Sequence, residues 1–523
     1  MSKRPGPAER RDPIQPAAER QEPSGPAERR DPIQPATERR RRVPGIEVVV
    51  AALRENASWL AHVPVGLLAV LYAARFASLG IAALHGYEQP AFDLGIPDQG
   101  IWLLSRFHDP FVTVMGRQLF GDHTTFVYVL LVPFYWIYPH TSVLLAVQAV
   151  LIAAGAVPVY LLARHLRLGT VAATLLAAAY LLNPALQQGN MEQFHVECFE
   201  VALIAAAIYF AVVWRPALLV ASVVLLLLCK EDAAMYALPI GVWVAFRRDR
   251  RTGLALAAGS VVSALVDNLL VIPALIGVFN VHANRLPFGG FGGSLRTLVR
   301  HPGAVFSYLG SQGRAFYLWQ LAASAGLVFI LAPEIAALAV IGVAVNLVST
   351  FGYQHEIDYH YSLPIVPILA CGTVWAVSRV RRAGWRRAAV GGVTVAALWA
   401  CTVWGLAPFS DETYPIVSAS SPLVTETNQV VRSVPAHAVV SAFYDYVPEL
   451  DHRTRIYMWP NPFRASYWGD LREEGQRLPF ASQVQYVVLP VSVVDTDPTW
   501  RQVSGHFRLV KGNAAADLFK RVS

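Results

Sequence analysis

Apolar runs separated by short polar connections dominate the chain between residues 59 and 406. A helix needs about 20 consecutive apolar residues to cross a bilayer unaided. The longer runs reach that length and the shorter ones fall below it, so the pattern predicts about eleven membrane-spanning helices with loosely defined ends. The predicted spans are 59–84, 141–163, 170–187, 198–213, 217–229, 233–246, 253–275, 316–332, 334–350, 362–378 and 388–406.

Three regions depart from this pattern. Residues 124–138 are apolar and aromatic but too short to span, which predicts a helix at the membrane surface. Residues 407–523 hold short runs rich in β-forming residues between Pro, Asp and Gly, which predicts a small α/β domain. Residues 1–45 are rich in Pro, Glu and Arg, and their segment 6–17 recurs at 25–36. That composition predicts a disordered tail without the apolar stretch of a signal peptide.

The composition agrees with a membrane protein. Only 15% of the residues are charged and 54% are hydrophobic, whereas a typical soluble domain carries about 25% charged residues. The predicted fold class is therefore mainly α: a polytopic transmembrane helical bundle over residues 46–406, preceded by the tail and followed by the α/β domain.

Clusters of arginine predict the orientation of the bundle. Arg39 to Arg42 precede the first span, so the N-terminus is predicted to be cytoplasmic. Alternation of the spans then places every later cluster on the cytoplasmic side and the C-terminal domain outside. These clusters are Arg164 with Arg167, Arg215, the arginines of 247–251 and those of 379–387. None is interleaved with stacking aromatics, which excludes a nucleic-acid surface. The predicted location is the cytoplasmic (inner) membrane.

The same topology gathers acidic and histidine residues on the opposite, outer face. Acidic groups at membrane depth are energetically costly and usually functional. Four separate connections deliver them to one end of the bundle, which predicts a site there. The candidate site residues are Arg75, Asp93, Asp98, His123, His195, Lys230, Glu231, Asp232, His355, Glu356 and His360.

Several of these residues have two interpretations. Asp98 either lines the site or caps the helix that begins after Pro97. Lys230 either binds a phosphate or belongs to an interfacial cluster, and Arg75 either binds a lipid phosphate or snorkels to the interface. The histidines at 123, 195, 355 and 360 either bind substrate or ligate a divalent metal. No cofactor is therefore assigned with certainty.

Several short motifs together resemble a family of predicted prokaryotic membrane proteins catalogued as domain of unknown function 2079. The motifs are Phe92-Asp93-Leu94-Gly95-Ile96 with Asp98-Gln99-Gly100-Ile101-Trp102, Gly121-Asp122-His123, Asn183-Pro184-Ala185, Phe194-His195, Lys230-Glu231-Asp232 and His360-Tyr361-Ser362-Leu363-Pro364-Ile365. The resemblance extends over most of the chain after about residue 57, including the predicted α/β domain.

That family is distantly similar to the GT-C glycosyltransferases, which include lipid-linked aminoarabinose transferases and protein mannosyltransferases. Those enzymes hold an essential acidic residue in the first outer loop, beside a juxtamembrane helix. Asp93 matches that position, with 99–107 as the helix. The paired acidic motif of some GT-C members is absent at Asp93-Leu94.

The resemblance implies transfer of a sugar from a polyprenyl-phosphate donor, at the outer face, to a glycan, lipid or protein acceptor. Asp93 would be the catalytic base and Lys230 the phosphate-binding cation, with Arg75 as the second choice. The other candidate residues would bind substrate. A transporter or lipid flippase is the alternative, and a non-catalytic scaffold or sensor is a third class. Transporters often show repeated halves and polar residues at helix centres, and neither feature is found here.

Overall fold

Helical structure occupies every apolar segment predicted above in the computed structural model, which describes residues 59–279 and 285–522. The predicted tail 1–45 lies outside the described residues. The α-helices are α1 (Val63–His85), α2 (Ile96–Ser105), α3 (Leu119–Asp122), α4 (Val132–Ile137), α5 (Ser142–Ala154), α6 (Ala156–His165), α7 (Thr170–Leu181), α8 (Pro184–Met191), α9 (Glu197–Val213), α10 (Pro216–Leu227), α11 (Ala234–Arg247), α12 (Arg250–Val266), α13 (Ile272–Ile276), α14 (Gly290–Arg300), α15 (Pro302–Leu309), α16 (Arg314–Ser324), α17 (Pro333–Ala336), α18 (Val340–Val348), α19 (Ile365–Ser378), α20 (Ala383–Trp404), α21 (Pro422–Val431), α22 (Val491–Thr496) and α23 (Pro498–Val503).

Shorter helical turns join these elements. The π-helical turns are Ala91–Gly95 and Asp267–Val271. The 3-10 turns are Phe126–Leu131, Val328–Leu331, Ala337–Ala339, Gly352–His355, His360–Ser362, Tyr444–Glu449, Pro479–Gln483 and Ser504–His506. The helices predicted at 99–107 and 124–138 are thus confirmed as α2 and as the run Phe126–Ile137.

Five helical stretches in the described ranges are long and apolar enough to cross a membrane. They are Val63–His85, Ser142–His165, Arg250–Ile276, His360–Ser378 and Ala383–Trp404, and the bent pair α7–α8 would be a sixth. Several of the other predicted spans are covered by shorter apolar helices such as α10. A helix rises about 1.5 Å per residue, so α10, with 12 residues, is shorter than the hydrocarbon core. The predicted count of about eleven therefore includes helices that do not span by length alone.

The bend between α7 and α8 arises from Asn183-Pro184. The Asn183 side chain accepts a hydrogen bond from the backbone N–H of Ala185 at 3.0 Å, and Pro184 occupies the first turn, where its missing N–H costs nothing. The chain therefore turns by 44° and starts a new short helix. That helix ends at Met191, which places Glu192 at the head of the following connection.

The region after Leu406 contains a five-stranded sheet, as the α/β prediction expects. Its strands are β3 (Val440–Ala442), β4 (Ile456–Met458), β5 (Tyr486–Pro490), β6 (Phe507–Gly512) and β7 (Ala516–Arg521), and an earlier hairpin pairs β1 (Phe111–Val112) with β2 (Arg117–Gln118). The order of the strands across the sheet is β4-β3-β5-β7-β6. β3 runs parallel to β4 and β5, whereas β7 is antiparallel to β5 and β6.

The sheet region packs against the first long connection. Its turn Tyr444–Glu449 contacts the π-helical turn Ala91–Gly95. A Cβ added to Gly95 would lie 3.1 Å from Val447, so glycine permits this close approach. Gly116, at φ +69°, lies beneath Trp468, whose ring would meet an added Cβ at 2.2 Å. The described chain from Trp59 onward accordingly forms one compact unit.

Candidate active site

A cavity of about 610 Å³ lies where the four predicted polar connections converge. Its walls come from the first connection, the α8–α9 and α10–α11 connections and the segment before α19, together with Tyr444 and Tyr467 of the sheet region. The charged and histidine residues that line it are Asp93, Arg117, Asp122, His123, Glu192, His195, Glu197, Lys230, Arg285 and His360.

Asp93 lies at the centre of the π-helical turn that starts after Pro90. Such turns are rare and often occur at functional sites, because the extra residue per turn re-aims a side chain. Within the described ranges, no donor hydrogen-bonds to the Asp93 carboxylate, which lines the cavity. Its oxygens are accordingly open to a ligand.

Lys230 provides a buried positive charge within the α10–α11 connection. Its Nζ lies 2.8 Å from Glu197 Oε1 and 3.8 Å from Asp232. Burial lowers the pKa of Lys230, but Asp232, Glu197 and Glu231 outweigh it and hold that pKa above its ordinary value. Lys230 is therefore a cation across the physiological pH range.

His123 pairs with a carboxylate behind the cavity wall. Its Nδ1 lies 2.8 Å from Glu231 Oε1, while the backbone N–H of Thr124 donates to Oε2 at 3.2 Å. Burial raises the pKa of Glu231, yet His123 and Lys230 reverse this and bring that pKa to about 2. Glu231 does not line the cavity itself, so it orients His123 from behind.

A second group joins Glu192, His195 and His360. The two imidazole rings stack with centroids 3.6 Å apart. Glu192 Oε2 lies 3.1 Å from His360 Nδ1, and Glu192 Oε1 lies 3.6 Å from His195 Nε2. Burial raises the pKa of Glu192 to about 8, and burial with the neighbouring His360 lowers the pKa of His195. One potential ligand atom from each residue lies within 4.8 Å of the others, which is close enough to hold a metal ion.

Asp98 lies outside the cavity lining, with no exposed surface. The interpretation of Asp98 as a helix cap is wrong: α2 begins after Gly95, and no side chain caps it. Instead the Asp98 carboxylate accepts hydrogen bonds from Tyr135 and from Thr141, the latter at 2.6 Å, and lies 3.1 Å from His452 Nε2.

Asp451 completes this second cluster. Both of its carboxylate oxygens are buried, and neither accepts a hydrogen bond from an N–H or O–H in the described ranges. Burial and the facing Asp98 carboxylate raise the pKa of Asp451 well above its ordinary value. The adjacent Arg453 donates to the backbone carbonyls of Leu450, Pro435 and Ala438. Asp98, Asp451 and His452 thus form an interface cluster, which joins the sheet region to the first connection.

Four other candidates do not line the cavity. Arg75 donates to the backbone carbonyl of Leu406 at 2.8 Å. Asp232 stands beside Lys230, and neither the buried His355 nor the exposed Glu356 reaches the cavity wall. The four histidines proposed as one ligand set are therefore divided between different surroundings.

Sequence reasoning missed two cations of the cavity wall. Arg117 pairs with Asp122 at 2.5 Å, and Arg285 lies over the rings of Phe351 and Tyr361 at 4.4 and 5.8 Å. Both residues come from connections without periodicity, so no pattern aims them at the site. The aromatic residues near 351–361 were the available signal for Arg285, because arginine stacks on such rings.

Comparisons with known proteins agree with this architecture. No curated protein sequence matches the chain. Among solved structures, ArnT from Cupriavidus metallidurans bound to undecaprenyl phosphate is similar with a TM-score of 0.55 at 12% identity, over 87% of this chain and 98% of that chain. The apo state of that protein gives a TM-score of 0.52 at 13% identity, over 87% and 97%. These likenesses show a shared fold.

The family described as "Predicted membrane protein (DUF2079)" matches residues 88–511. The match begins just before the π-helical turn that carries Asp93 and ends within β6. It therefore includes all the charged and histidine residues that line the cavity. The chain belongs to the DUF2079 family of predicted membrane proteins.

Proposed function

We propose that this protein is a GT-C-type glycosyltransferase that moves a sugar from a polyprenyl-phosphate donor to an acceptor at the outer face of the cytoplasmic membrane. The observation that carries the proposal is the cavity itself, in which an open carboxylate, Asp93, faces buried cations at the ends of apolar helices. The fold shared with ArnT, which was solved with undecaprenyl phosphate, supports it. A transporter would place its polar groups at helix centres.

Asp93 is suited to act as the general base. The acceptor hydroxyl would give its proton to the Asp93 carboxylate while its oxygen attacks the anomeric carbon of the donor sugar. The bond between that carbon and the phosphate oxygen breaks, and its electron pair leaves with the lipid phosphate. Attack from the face opposite the leaving group inverts the anomeric centre.

The leaving phosphate needs positive charge close to it, because its negative charge increases as the bond breaks. Lys230 is our first choice, since it is buried, charged and lines the cavity. Arg285 lines the same cavity and is the second choice. Arg75, the alternative from the sequence, lies against the Leu406 carbonyl outside the lining, which makes it the weaker candidate.

The arrangement of the basic clusters supports an orientation with the N-terminus in the cytoplasm and the sheet region outside. The cavity would then face the outer side, where the sugar is already exposed to solvent and the lipid tail remains in the bilayer. The acceptor belongs to the glycans, lipids or proteins of the cell envelope.

The test is a transfer assay with purified protein. We would incubate it with a panel of polyprenyl-phosphate sugars and measure the freed lipid phosphate, with and without envelope extracts as acceptor. The proposal is supported if lipid phosphate is freed only when the protein is present and in larger amount when acceptor is added. No release from any donor, by protein that is folded and monodisperse, contradicts it.

A further inference from the structure

Glu192, His195 and His360 form a closely packed group of side chains that lines the cavity. Their side chains are 15%, 7% and 10% exposed, and they come from two connections far apart in the chain. Imidazole and carboxyl side chains are the donor types that bind zinc and similar divalent metals.

One atom of this group has no partner. His195 Nε2 is buried, and no described residue hydrogen-bonds to it. A buried polar atom without a partner costs about 1–3 kcal/mol. The ring stacks on that of His360, and this nitrogen lies 3.6 Å from Glu192 Oε1.

The separations between these atoms fit a shared ion. A tetrahedral site with bonds of about 2.0–2.1 Å places its ligand atoms about 3.4 Å apart. Glu192 Oε2 lies 3.1 Å from His360 Nδ1, and the other carboxylate oxygen, Oε1, lies 3.6 Å from His195 Nε2. One potential ligand atom from each of the three residues lies within 4.8 Å of the other two.

Neighbouring groups hold the three side chains in place. The backbone N–H of His360 donates to Glu192 Oε2 at 2.5 Å. Gln148 accepts from the backbone N–H of His195 at 2.8 Å and donates to the Gln193 carbonyl at 2.5 Å. Outer contacts of this kind orient the ligands of a metal site.

We propose that Glu192, His195 and His360 bind one divalent transition-metal ion of the zinc type, with its open position facing the cavity beside Asp93. A metal bound there would supply Lewis-acid stabilisation to a phosphate oxygen. The site therefore deepens the proposed glycosyl transfer. Metal binding itself is measured without donor or acceptor, so its failure is distinguishable from a failure of transfer.

The experiment measures metal content and affinity of the full-length protein in detergent. Protein stripped with a chelator is titrated with Zn²⁺ and assayed by elemental analysis after dialysis, and Co²⁺ is used to record a ligand-field spectrum. The variants are His195→Ala and Glu192→Gln. His355→Ala is the matched histidine control, and Asp451→Asn tests the separate cluster of Asp98, Asp451 and His452, which also has metal-ligand spacing.

We expect one Zn²⁺ per chain, a Co²⁺ spectrum with nitrogen ligation, and a loss of at least tenfold in affinity for His195→Ala and Glu192→Gln. Both control variants should keep the metal. If His195→Ala does not fold, the metal affinity of Glu192→Gln and the Co²⁺ spectrum of the parent protein still test whether these residues bind the metal. Absence of stoichiometric metal, or metal lost only in Asp451→Asn, would overturn the proposal.

Discussion

Two clusters in this molecule contain the same residue types but differ in their surroundings. Glu192, His195 and His360 border a cavity of about 610 Å³. Asp98, Asp451 and His452 lie away from the cavity lining, beneath the contact between the sheet region and the first connection. Both bring acidic and histidine side chains together from distant parts of the chain.

The two clusters differ in whether their polar atoms without a hydrogen-bonding partner border the cavity. Asp98 accepts from two hydroxyl groups and faces an imidazole, so the protein itself supplies its partners. In the cavity, His195 Nε2 has no described partner, and the Asp93 carboxylate accepts no described hydrogen bond. Polar atoms without a hydrogen-bonding partner in the described ranges occur in both clusters, since neither oxygen of Asp451 accepts a hydrogen bond, but only those of the first cluster border a cavity that a ligand could enter.

Asp93→Asn is the substitution with the largest expected effect. It keeps the shape of the side chain but removes its ability to accept a proton, so turnover should fall by about 10²–10⁴-fold. The melting temperature should stay the same, because the carboxylate accepts no hydrogen bond within the described ranges. Transfer rate and melting temperature are measured in the same preparation.

Lys230→Ala should give a different pattern from Asp93→Asn. It removes the cation that we propose for the phosphate, so donor affinity should weaken together with turnover. Donor binding is measured directly with a labelled polyprenyl-phosphate sugar. Near-normal transfer by Asp93→Asn would remove Asp93 from the mechanism and leave the cavity with another base.

Asp98→Asn should instead lower stability and affect chemistry only through folding. The amide presents an N–H₂ group to the Tyr135 and Thr141 hydroxyls and loses the charge facing His452, a loss of about 3 kcal/mol. The free energy of unfolding is compared with that of Asp109→Asn, an exposed aspartate. Equal free energies of unfolding for both variants would show that the Asp98 charge in the interface cluster does not stabilise the fold.

Gly116→Ala tests a second contact between the sheet region and the first connection, that of Gly116 with Trp468. The new methyl would collide with the Trp468 ring at 2.2 Å, and overpacking of this kind costs about 1–3 kcal/mol. Gly313→Ala is the control, since Gly313 also has positive φ, at +77°, but nothing within 4 Å. Limited proteolysis of the sheet region should increase in the first variant only.

Asp451→Asn should have the smallest effect and the opposite sign. The pKa of Asp451 is raised in the folded state, so the folded protein keeps this proton when the unfolded chain has released it, and stability falls as pH rises above about 4. Each tenfold change in the proton-dissociation constant corresponds to about 1.4 kcal/mol. The variant should therefore be more stable than the parent at pH 8 and similar at pH 4. Destabilisation at pH 8 would contradict this account.

The positions of the helices were accessible from the sequence because apolar runs are local signals, whereas the ends of the helices were predicted only loosely. Alternation of the spans also placed Asp93, Lys230 and His360 on one face, and the structure brings them into one cavity. The surroundings of Asp98 were not accessible, because its partner His452 lies in the sheet region and no local pattern connects them. For the same reason the helix cap was a reasonable but wrong interpretation.

The wall that Tyr444 and Tyr467 contribute to the cavity has a consequence for synthesis of the protein. These two residues leave the ribosome long after Asp93, so a nascent chain contains Asp93, the base of our proposal, before this part of the cavity wall exists. A chain that stops early would lack the wall that Tyr444 and Tyr467 provide. We therefore expect the proposed transfer activity to appear first when translation has passed the sheet region.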